Sequence, residues 1–348
     1  MQEASATTPG RPVPPRQLRV AVIGAGSWGT ALAIQASRAG HRVALWGHDA
    51  ARTARMLKER TNATYLPGFD FPPGLDPVAD VAVALEGAEL VISAVPSRFL
   101  RQVWAGIGAA LHQDAHLVSA TKGIEEDSGL RMTELLSDVL ERPPRSISAL
   151  SGPSFARELA QGFPTAVALG CEDPEAAAEV QQALSHGPLR VYRNRDLIGV
   201  ELAGALKNVI AVAAGIVDGL GLGTNSRAAL ICRGLKEMAE LAVRMGAQSA
   251  TLMGLAGLGD LVLTCTGPLS RNRGVGVAIG EGRTLEQATD GMQMVAEGVV
   301  TVRSARQLAQ RYGVEMPITE QVFEVLYGDL SPRQAIDALL SRRLVDEW

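Results

Sequence analysis

The sequence predicts a doubly wound, mostly parallel α/β sheet followed by an all-helical domain, and three observations carry that prediction. An apolar run, Leu18 to Ile23, leads straight into a glycine-rich turn, Gly24-Ala25-Gly26-Ser27-Trp28-Gly29. Short apolar runs then alternate with helical ones through the first half of the chain, the pattern of a parallel sheet covered by helices. From about Gly199 the short runs stop, and apolar residues recur only at helical spacing.

The first expected strand, Leu18 to Ile23, ends at glycines spaced G-x-G-x-x-G. Gly24 permits a tight turn out of the strand, Gly26 lets the backbone approach a pyrophosphate, and Gly29 lets the next helix pack closely on the sheet. That helical run, Thr30 to Ala39, offers phosphates the free N–H groups and partial positive charge of its amino end. Gly40-His41 then turns into a second strand, Val43 to Trp46. Three glycines in a chain that holds 37 also fit an ordinary turn. The strand before and the helix and strand after make this the βαβ frame of a Rossmann-type dinucleotide site instead. Further strands are expected at Leu90 to Val95, Leu117 to Ser119, Ser146 to Leu150, Thr165 to Leu169 and Leu189 to Tyr192. Ligands of such sheets bind beyond the carboxyl ends of the strands. The residues to inspect are therefore Pro96-Ser97, Thr121-Lys122-Gly123 and Ser151-Gly152-Pro153-Ser154-Phe155-Ala156. In the second half, helical periodicity runs through Val200 to Gly219, Ala228 to Met245 and Leu285 to Ala309, with Pro317 and Pro332 near helix starts. The expected organisation is a flexible tail over 1–17, a dinucleotide-binding domain over 18–198 and a helical substrate-binding domain over 199–348.

Bulk numbers bound the partners. A chain of 348 residues with 47% hydrophobic content can fill two cores. Its 33 basic and 37 acidic residues leave a net charge of −4, which points away from nucleic acid and toward small molecules. The longest apolar stretch, Ile198 to Leu222, is interrupted by Glu201, Lys207, Asn208 and Asp218, so a buried helix is expected and no membrane span. No signal peptide is expected before the first strand. Cys171, Cys232 and Cys265 are odd in number and far apart, which suits reduced thiols buried as small hydrophobes in the cytoplasm. His112 and His116 have a metal-pair spacing, but no acidic or cysteine cluster follows and no metal is expected.

Three constellations carry chemistry. Lys207 and Asn208 lie in a helix so apolar that an amine there needs a partner or a purpose, and Gly204 and Ala211 leave room on its face. Desolvation would bring such an amine toward working pH, as an acid/base group requires, although a lysine can also snorkel to the surface. In Ser270-Arg271-Asn272-Arg273, Arg271 offers a fork for two phosphate oxygens. Asn272 adds an amide, and Ser270 can cap a helix whose N–H groups face the same anion; a plain solvated helix start is the competing reading. Asp260, in a glycine-rich loop, either holds the lysine ammonium or closes a turn. After the strand Val43 to Trp46, the place where NAD-selective folds carry an acid for the ribose is taken by Gly47, followed by His48. With that repulsion gone, Arg52 or Arg55 can meet a 2′-phosphate. NADPH is the expected reductant, with room left for NADH.

These motifs, taken together from the glycine fingerprint to about Thr319, resemble those of the bacterial NAD(P)-dependent glycerol-3-phosphate dehydrogenases. The resemblance rests on G-A-G-S-W-G-T-A, A-T-K-G, S-G-P-S-F-A, A-L-K-N-V-I-A, G-L-G-D-L-V-L-T-C-T, S-R-N-R, V-A-E-G and G-V-E-M-P-I-T in this order. It implies that Gly24, Gly26, Gly29, Ser27, Trp28, His48 and Ala156 contact the cofactor, and that Val295 and Glu297 close over it. It implies that Lys122 lies between nicotinamide and substrate, and that Gly152 and Ser154 touch the substrate. Lys207 would accept the proton while Asn208, Asp260 and Thr264 orient it or the substrate. Ser270, Arg271 and Asn272 would hold the phosphate end, Arg271 also reaching the cofactor. The implied reaction interconverts dihydroxyacetone phosphate and sn-glycerol 3-phosphate, in the cytoplasm, for phospholipid backbones. For assembly, a homodimer is the starting expectation. Two other readings stay open on the residues alone. A related β-hydroxyacid dehydrogenase would share the glycine fingerprint and the lysine, but gives no reason for Ser270-Arg271-Asn272. A non-catalytic sensor of nucleotide redox state would need neither Lys207 nor Lys122.

Overall fold

A computed structural model of the chain describes residues 16–142, 147–292, 296–343 and 346. Residues 1–15 of the expected tail, Ser146 of one expected strand, and Val295 lie outside the described residues. Of the remaining tail, Arg16 pairs with Glu89 and Gln17 donates to the Gly40 carbonyl.

The strands are β1 (Arg19–Ile23), β2 (Arg42–Trp46), β3 (Thr61–Asn62), β4 (Leu66–Asp70), β5 (Leu75–Val78), β6 (Leu90–Ser93), β7 (His116–Ser119), β8 (Ile147–Ser151), β9 (Thr165–Gly170) and β10 (Leu189–Asn194). Eight of them form one sheet in the order β10-β9-β8-β7-β6-β1-β2-β5, and β3 and β4 form a separate hairpin. Every pair in the large sheet is parallel except β8 with β9. The strand order reverses at β1, between β2 on one side and β6 on the other. A crevice therefore opens there, beyond the carboxyl ends.

Around the sheet run α1 (Ser27–Arg38), α2 (Ala50–Glu59), α3 (Val81–Leu85), α4 (Ser97–Ile107), α5 (Met132–Leu140), α6 (Ala156–Gln161) and α7 (Pro174–Leu184). Alternation along β1 separates two cores. Val20 and Val22 face α1, α6 and α7, whereas Ala21 and Ile23 face α3, α4 and α5. Then follow α8 (Leu197–Gly219), α9 (Gly223–Arg244), α10 (Ser249–Leu252), α11 (Asp260–Thr266), α12 (Arg271–Gly280), α13 (Leu285–Thr289), α14 (Glu297–Tyr312), α15 (Pro317–Tyr327) and α16 (Pro332–Leu340), with a π-helical turn over Leu255–Gly259. The expected boundary at 198 falls in the first turn of α8. This helix is apolar on all sides because the other helices surround it, and although long and apolar enough to cross a membrane, it is wholly buried in the fold. Near its start Glu201 meets Arg131 and accepts hydrogen bonds from the Thr133 N–H at 2.8 Å and hydroxyl at 2.6 Å.

Three differences from the sequence reading have local causes. The hairpin β3–β4 and the edge strand β5 were not expected. Both Leu-Pro-Gly-Phe-Asp and Leu-Asp-Pro-Val carry a proline, which breaks the strand signal and is tolerated only at edges. The single helical run expected from Leu285 to Ala309 is two helices, α13 and α14; Gly291, at φ +68°, turns left-handed between them. Cys232 is exposed on the outer face of α9, unlike buried Cys171 and Cys265, so it is not a core residue.

Candidate active site

The glycine turn shapes one end of the crevice. At Gly24, φ is +115° and a Cβ would stand 2.7 Å from the Ala94 carbonyl oxygen, so no other residue fits. A Cβ on Gly29 would lie 1.9 Å from the Gly24 carbonyl oxygen, which shows how closely α1 starts against β1. Gly26 has nothing within 4 Å of where a Cβ would be, leaving bare backbone open to the cleft. Beside it Trp28 lines the cleft, and its buried indole N–H has no hydrogen-bond partner among the described residues. Open backbone, a helix amino end and an unmet donor together fit the phosphates and ribose of a dinucleotide. The β3–β4 hairpin is strapped over this turn. Asn62 donates to the Ala25 carbonyl at 2.9 Å and to Thr30 Oγ1 at 2.8 Å, and the Ser27 hydroxyl donates to the Tyr65 carbonyl.

Past β2, Gly47 and His48 line the cleft, and α2 turns Arg52 toward it and Arg55 away into solvent. The helix phase thus decides between the two candidate arginines. Arg52 donates to the Tyr65 hydroxyl at 2.7 Å and approaches Asp49 to 3.3 Å. Asp49 was missed in the sequence, where it reads as the helix cap that it also is: its carboxylate accepts from the Arg52 N–H. That bond, followed by the Arg52 charge, holds its carboxyl below the usual range despite some desolvation.

At the other end lie two lysines and one carboxylate. Lys207, only 6% exposed on α8, donates to Asp260 Oδ1 at 2.9 Å and to Thr264 Oγ1 at 2.7 Å. Lys122, from the loop after β7, donates to Asp260 Oδ2 at 2.6 Å and to the Gly152 carbonyl at 3.2 Å. Asp260 is the first residue of α11 and Thr264 lies one turn on, so a short helix delivers both acceptors to the same amine. Asp260 therefore holds the ammonium rather than merely closing a turn. Gly204 makes the approach of α8 feasible, because a Cβ there would fall 2.4 Å from Ser151 Oγ and 3.6 Å from Lys122 Cγ. Burial pulls the Lys207 ammonium down to about 8, with Lys122 adding to the shift and Asp260 opposing it. Burial raises the Asp260 carboxyl, yet the two ammoniums outweigh it and hold the group below the usual carboxylate range. Cys265, packed nearby, is pushed up to about 12 by burial and stays a thiol.

The third wall is α12. Ser270 caps it, its hydroxyl accepting from the Arg273 N–H at 3.2 Å. Arg273 is committed to Asp218, with Nε donating at 2.8 Å, whereas Arg271 faces the cleft. Asn272 donates to Asn208 Oδ1 at 2.8 Å and accepts from the Gly298 N–H at 2.9 Å. What places this end so near Lys207 is a seam of glycines. A Cβ on Gly215 would fall 2.1 Å from the Arg273 carbonyl oxygen, and one on Gly276 would fall 2.1 Å from that of Val212. Gly219 and Gly280 repeat the contact a turn later, at 2.3 and 2.6 Å from facing carbonyl oxygens. With no side chains between them, α8 and α12 run backbone to backbone in one direction, so Asn272 comes level with Asn208 and Lys207.

One cleft of about 950 Å³ is lined by Gly24, Gly26, Ser27, Trp28, His48, Lys122, Ser154, Ala156, Lys207, Asn208, Asp260, Thr264, Ser270, Arg271, Asn272 and Glu297. Gly29 and Gly152 stand behind its wall; Gly152, at φ +145°, aims its carbonyl at Lys122 and the Ser154 hydroxyl. The cleft also takes in Phe155, from the stretch after the fifth expected strand, and Tyr65, Arg98 and Phe99, which sequence reasoning missed. Arg98 and Phe99 directly follow the strand-end pair Pro96-Ser97, a usable signal; Tyr65 sits in the unexpected hairpin and had none. Among the described residues no three His, Cys, Asp or Glu side chains gather as a metal site would require, and His116 pairs with Glu179 instead.

Residues 19–177 match the family model described as NAD-dependent glycerol-3-phosphate dehydrogenase N-terminus, and residues 196–337 match the corresponding C-terminus model. A curated glycerol-3-phosphate dehydrogenase (NAD(P)+) of Geobacter sp. (strain M21) is 50% identical over 332 residues, covering 94% of this chain and 98% of that protein. The one from Anaeromyxobacter dehalogenans (strain 2CP-C) is 49% identical over 331 residues, covering 95% and 100%. Among solved structures, the crystal structure of glycerol-3-phosphate dehydrogenase from Coxiella burnetii matches with a TM-score of 0.89 at 41% identity, covering 94% of this chain and 99% of that one.

Proposed function

This chain belongs to the NAD-dependent glycerol-3-phosphate dehydrogenase family and is an NAD(P)-dependent oxidoreductase, and from that premise we propose that its cleft interconverts dihydroxyacetone phosphate and sn-glycerol 3-phosphate with Lys207 as the proton-transferring group. The observation that carries the assignment is the buried Lys207 amine, steered by Asp260 and Thr264 into the same cleft as the glycine turn. When bound, the reduced nicotinamide supplies the hydride for the ketone carbon. Lys207 as an ammonium protonates the oxygen that becomes the alcohol, and as a neutral amine takes that proton back in the oxidation. Lys122 adds a second positive charge where negative charge develops on that oxygen. Arg271 and the amino end of α12 hold the phosphate, with Ser270 and Asn272 fixing that helix end; Ser154 and Asn208 border the carbon chain, and Gly152 positions Lys122 and Ser154 from behind the wall. Ser27, Trp28, His48, Ala156 and Glu297 hold the dinucleotide, together with Val295 by family resemblance. Arg52, whose charge Asp49 engages only in part, is the residue to meet a 2′-phosphate, so NADPH is preferred over NADH. On this reading the enzyme works in the cytoplasm and its product supplies glycerophospholipid backbones.

Adding dihydroxyacetone phosphate to protein and NADPH, and following absorbance, tests the reading. Oxidation that requires the phosphate ester is the expected result. Oxidation only with hydroxyacid-type substrates would instead select a β-hydroxyacid dehydrogenase, and none at all would leave a nucleotide sensor. Equal or better catalytic efficiency with NADH, side by side, would refute the cofactor preference.

The pH dependence has a definite sign. Reduction needs the Lys207 ammonium and oxidation needs the amine, so kcat/KM for reduction should fall, and that for oxidation rise, as pH passes through about 8. A break near the ordinary lysine value of 10.5 would mean that burial does not tune this amine. Arg271→Ala should raise KM for dihydroxyacetone phosphate by about a hundredfold while kcat changes much less, since the lost contact lies away from the reacting carbon. An unchanged KM would remove Arg271 from the phosphate grip.

A further inference from the structure

We propose that Ser97 is a positioning residue for the cofactor, holding the Glu297 carboxylate of α14 at the cleft wall from the amino end of α4. The inference rests on the reading of Glu297 as a cofactor contact. The two residues stand 200 positions apart, one after the sixth strand and the other at the start of a helix in the second half. The Ser97 hydroxyl donates to Glu297 Oε2 at 2.5 Å and the Ser97 N–H donates to Oε1 at 3.3 Å, so both carboxylate oxygens are taken by one residue. The cap position of α4 is Pro96, which has no side-chain acceptor, and Glu297 supplies the negative charge that the free N–H groups there would otherwise lack.

Ser97 is itself fixed. It is 5% exposed, and a Cβ on Gly123 would lie 2.6 Å from its Cβ, so the loop that carries Lys122 packs directly against it. Thr121 ties that loop to the end of β6 by donating to the Val95 carbonyl at 2.7 Å. The same missing Cβ would stand 3.7 Å from Glu297 Oε2, so the carboxylate, Ser97 and the Lys122 loop form one contact. Two other charges face Glu297, Arg271 from α12 and Arg98 from α4. A carboxylate released by Ser97 would turn to these arginines and leave the place where it borders the dinucleotide. Burial already pushes the Glu297 carboxyl up, and the two Ser97 hydrogen bonds are the leading influence against it, ahead of the arginines.

Titration calorimetry with NADPH, across pH, on the whole protein tests the proposal. Ser97→Ala is expected to weaken NADPH by about tenfold, the scale of one hydrogen bond to a charged group, and to move the acid-side loss of affinity to higher pH. Ser97→Thr, which keeps the hydroxyl, is expected to bind as the unaltered protein does. Wild-type affinity and pH profile in Ser97→Ala would overturn the proposal, as would a Thr variant as weak as the Ala one. Glu297→Gln separates the two layers. If it binds NADPH normally, the reading of Glu297 fails and the proposal with it; if it is weakened while Ser97→Ala is not, only the role of Ser97 falls.

Discussion

Lys207→Ala lowers turnover by about a thousandfold or more while NADPH binds with nearly unaltered affinity. The magnitude is that of a lost general acid/base group. The separation from binding follows from position, since Lys207 sits with Asp260 and Thr264 at the far end of the cleft from Gly24, Gly26 and Trp28. Lys122 does not replace it, because its ammonium is already directed to the other Asp260 oxygen and to the Gly152 carbonyl. Arginine is no substitute either, as its guanidinium does not give up a proton in this pH range. Stopped-flow reduction for the chemical step and fluorescence titration for NADPH check both halves of the claim. Substantial residual turnover would take the lysine out of the proton-transfer role.

Gly276→Ala damages both stability and phosphate binding, although Gly276 never faces the cleft. Its Cβ would press on the Val212 carbonyl oxygen at 2.1 Å and on Gly215 Cα at 2.9 Å, and neither is a flexible side chain that can step aside. Overpacking of this kind costs about 3 kcal/mol. It is relieved only by moving α12 off α8, which carries Arg271 and Asn272 away from Lys207. The expected outcome is a lower thermal midpoint together with a KM for dihydroxyacetone phosphate raised by about tenfold or more, the scale of a misplaced binding group. Phosphate-free dihydroxyacetone serves as an internal control, since its reduction does not use the phosphate grip. An unchanged midpoint and KM would mean that the two helices are not held backbone to backbone.

Both results turn on features that differ in how visible they are along the chain. The glycine turn is legible because each glycine answers to its own immediate neighbours: a left-handed φ at Gly24, a bare backbone at Gly26, a close helix start at Gly29. Lys207 is legible because a charge inside a continuously apolar helix conflicts with burial unless something meets it. Asp260 is less so, since the same residue in a glycine-rich loop also suits a turn. The proline-bearing β4 and β5 and the break between α13 and α14 were hidden, as local propensity there opposes or blurs the pattern that tertiary pairing imposes.

By itself the sequence determined the order and type of most elements, the dinucleotide turn, and the residue types that the chemistry needs, because these depend on spacing within one strand or helix. Only the tertiary structure decided that Asp260 joins two ammoniums, that Arg52 rather than Arg55 faces the cleft, and that Ser97 reaches Glu297. It alone set α12 against α8 through glycines more than fifty positions apart. The physical reason is that such contacts depend on which surfaces fit when helices and sheet pack together, and no periodicity along the chain records that fit.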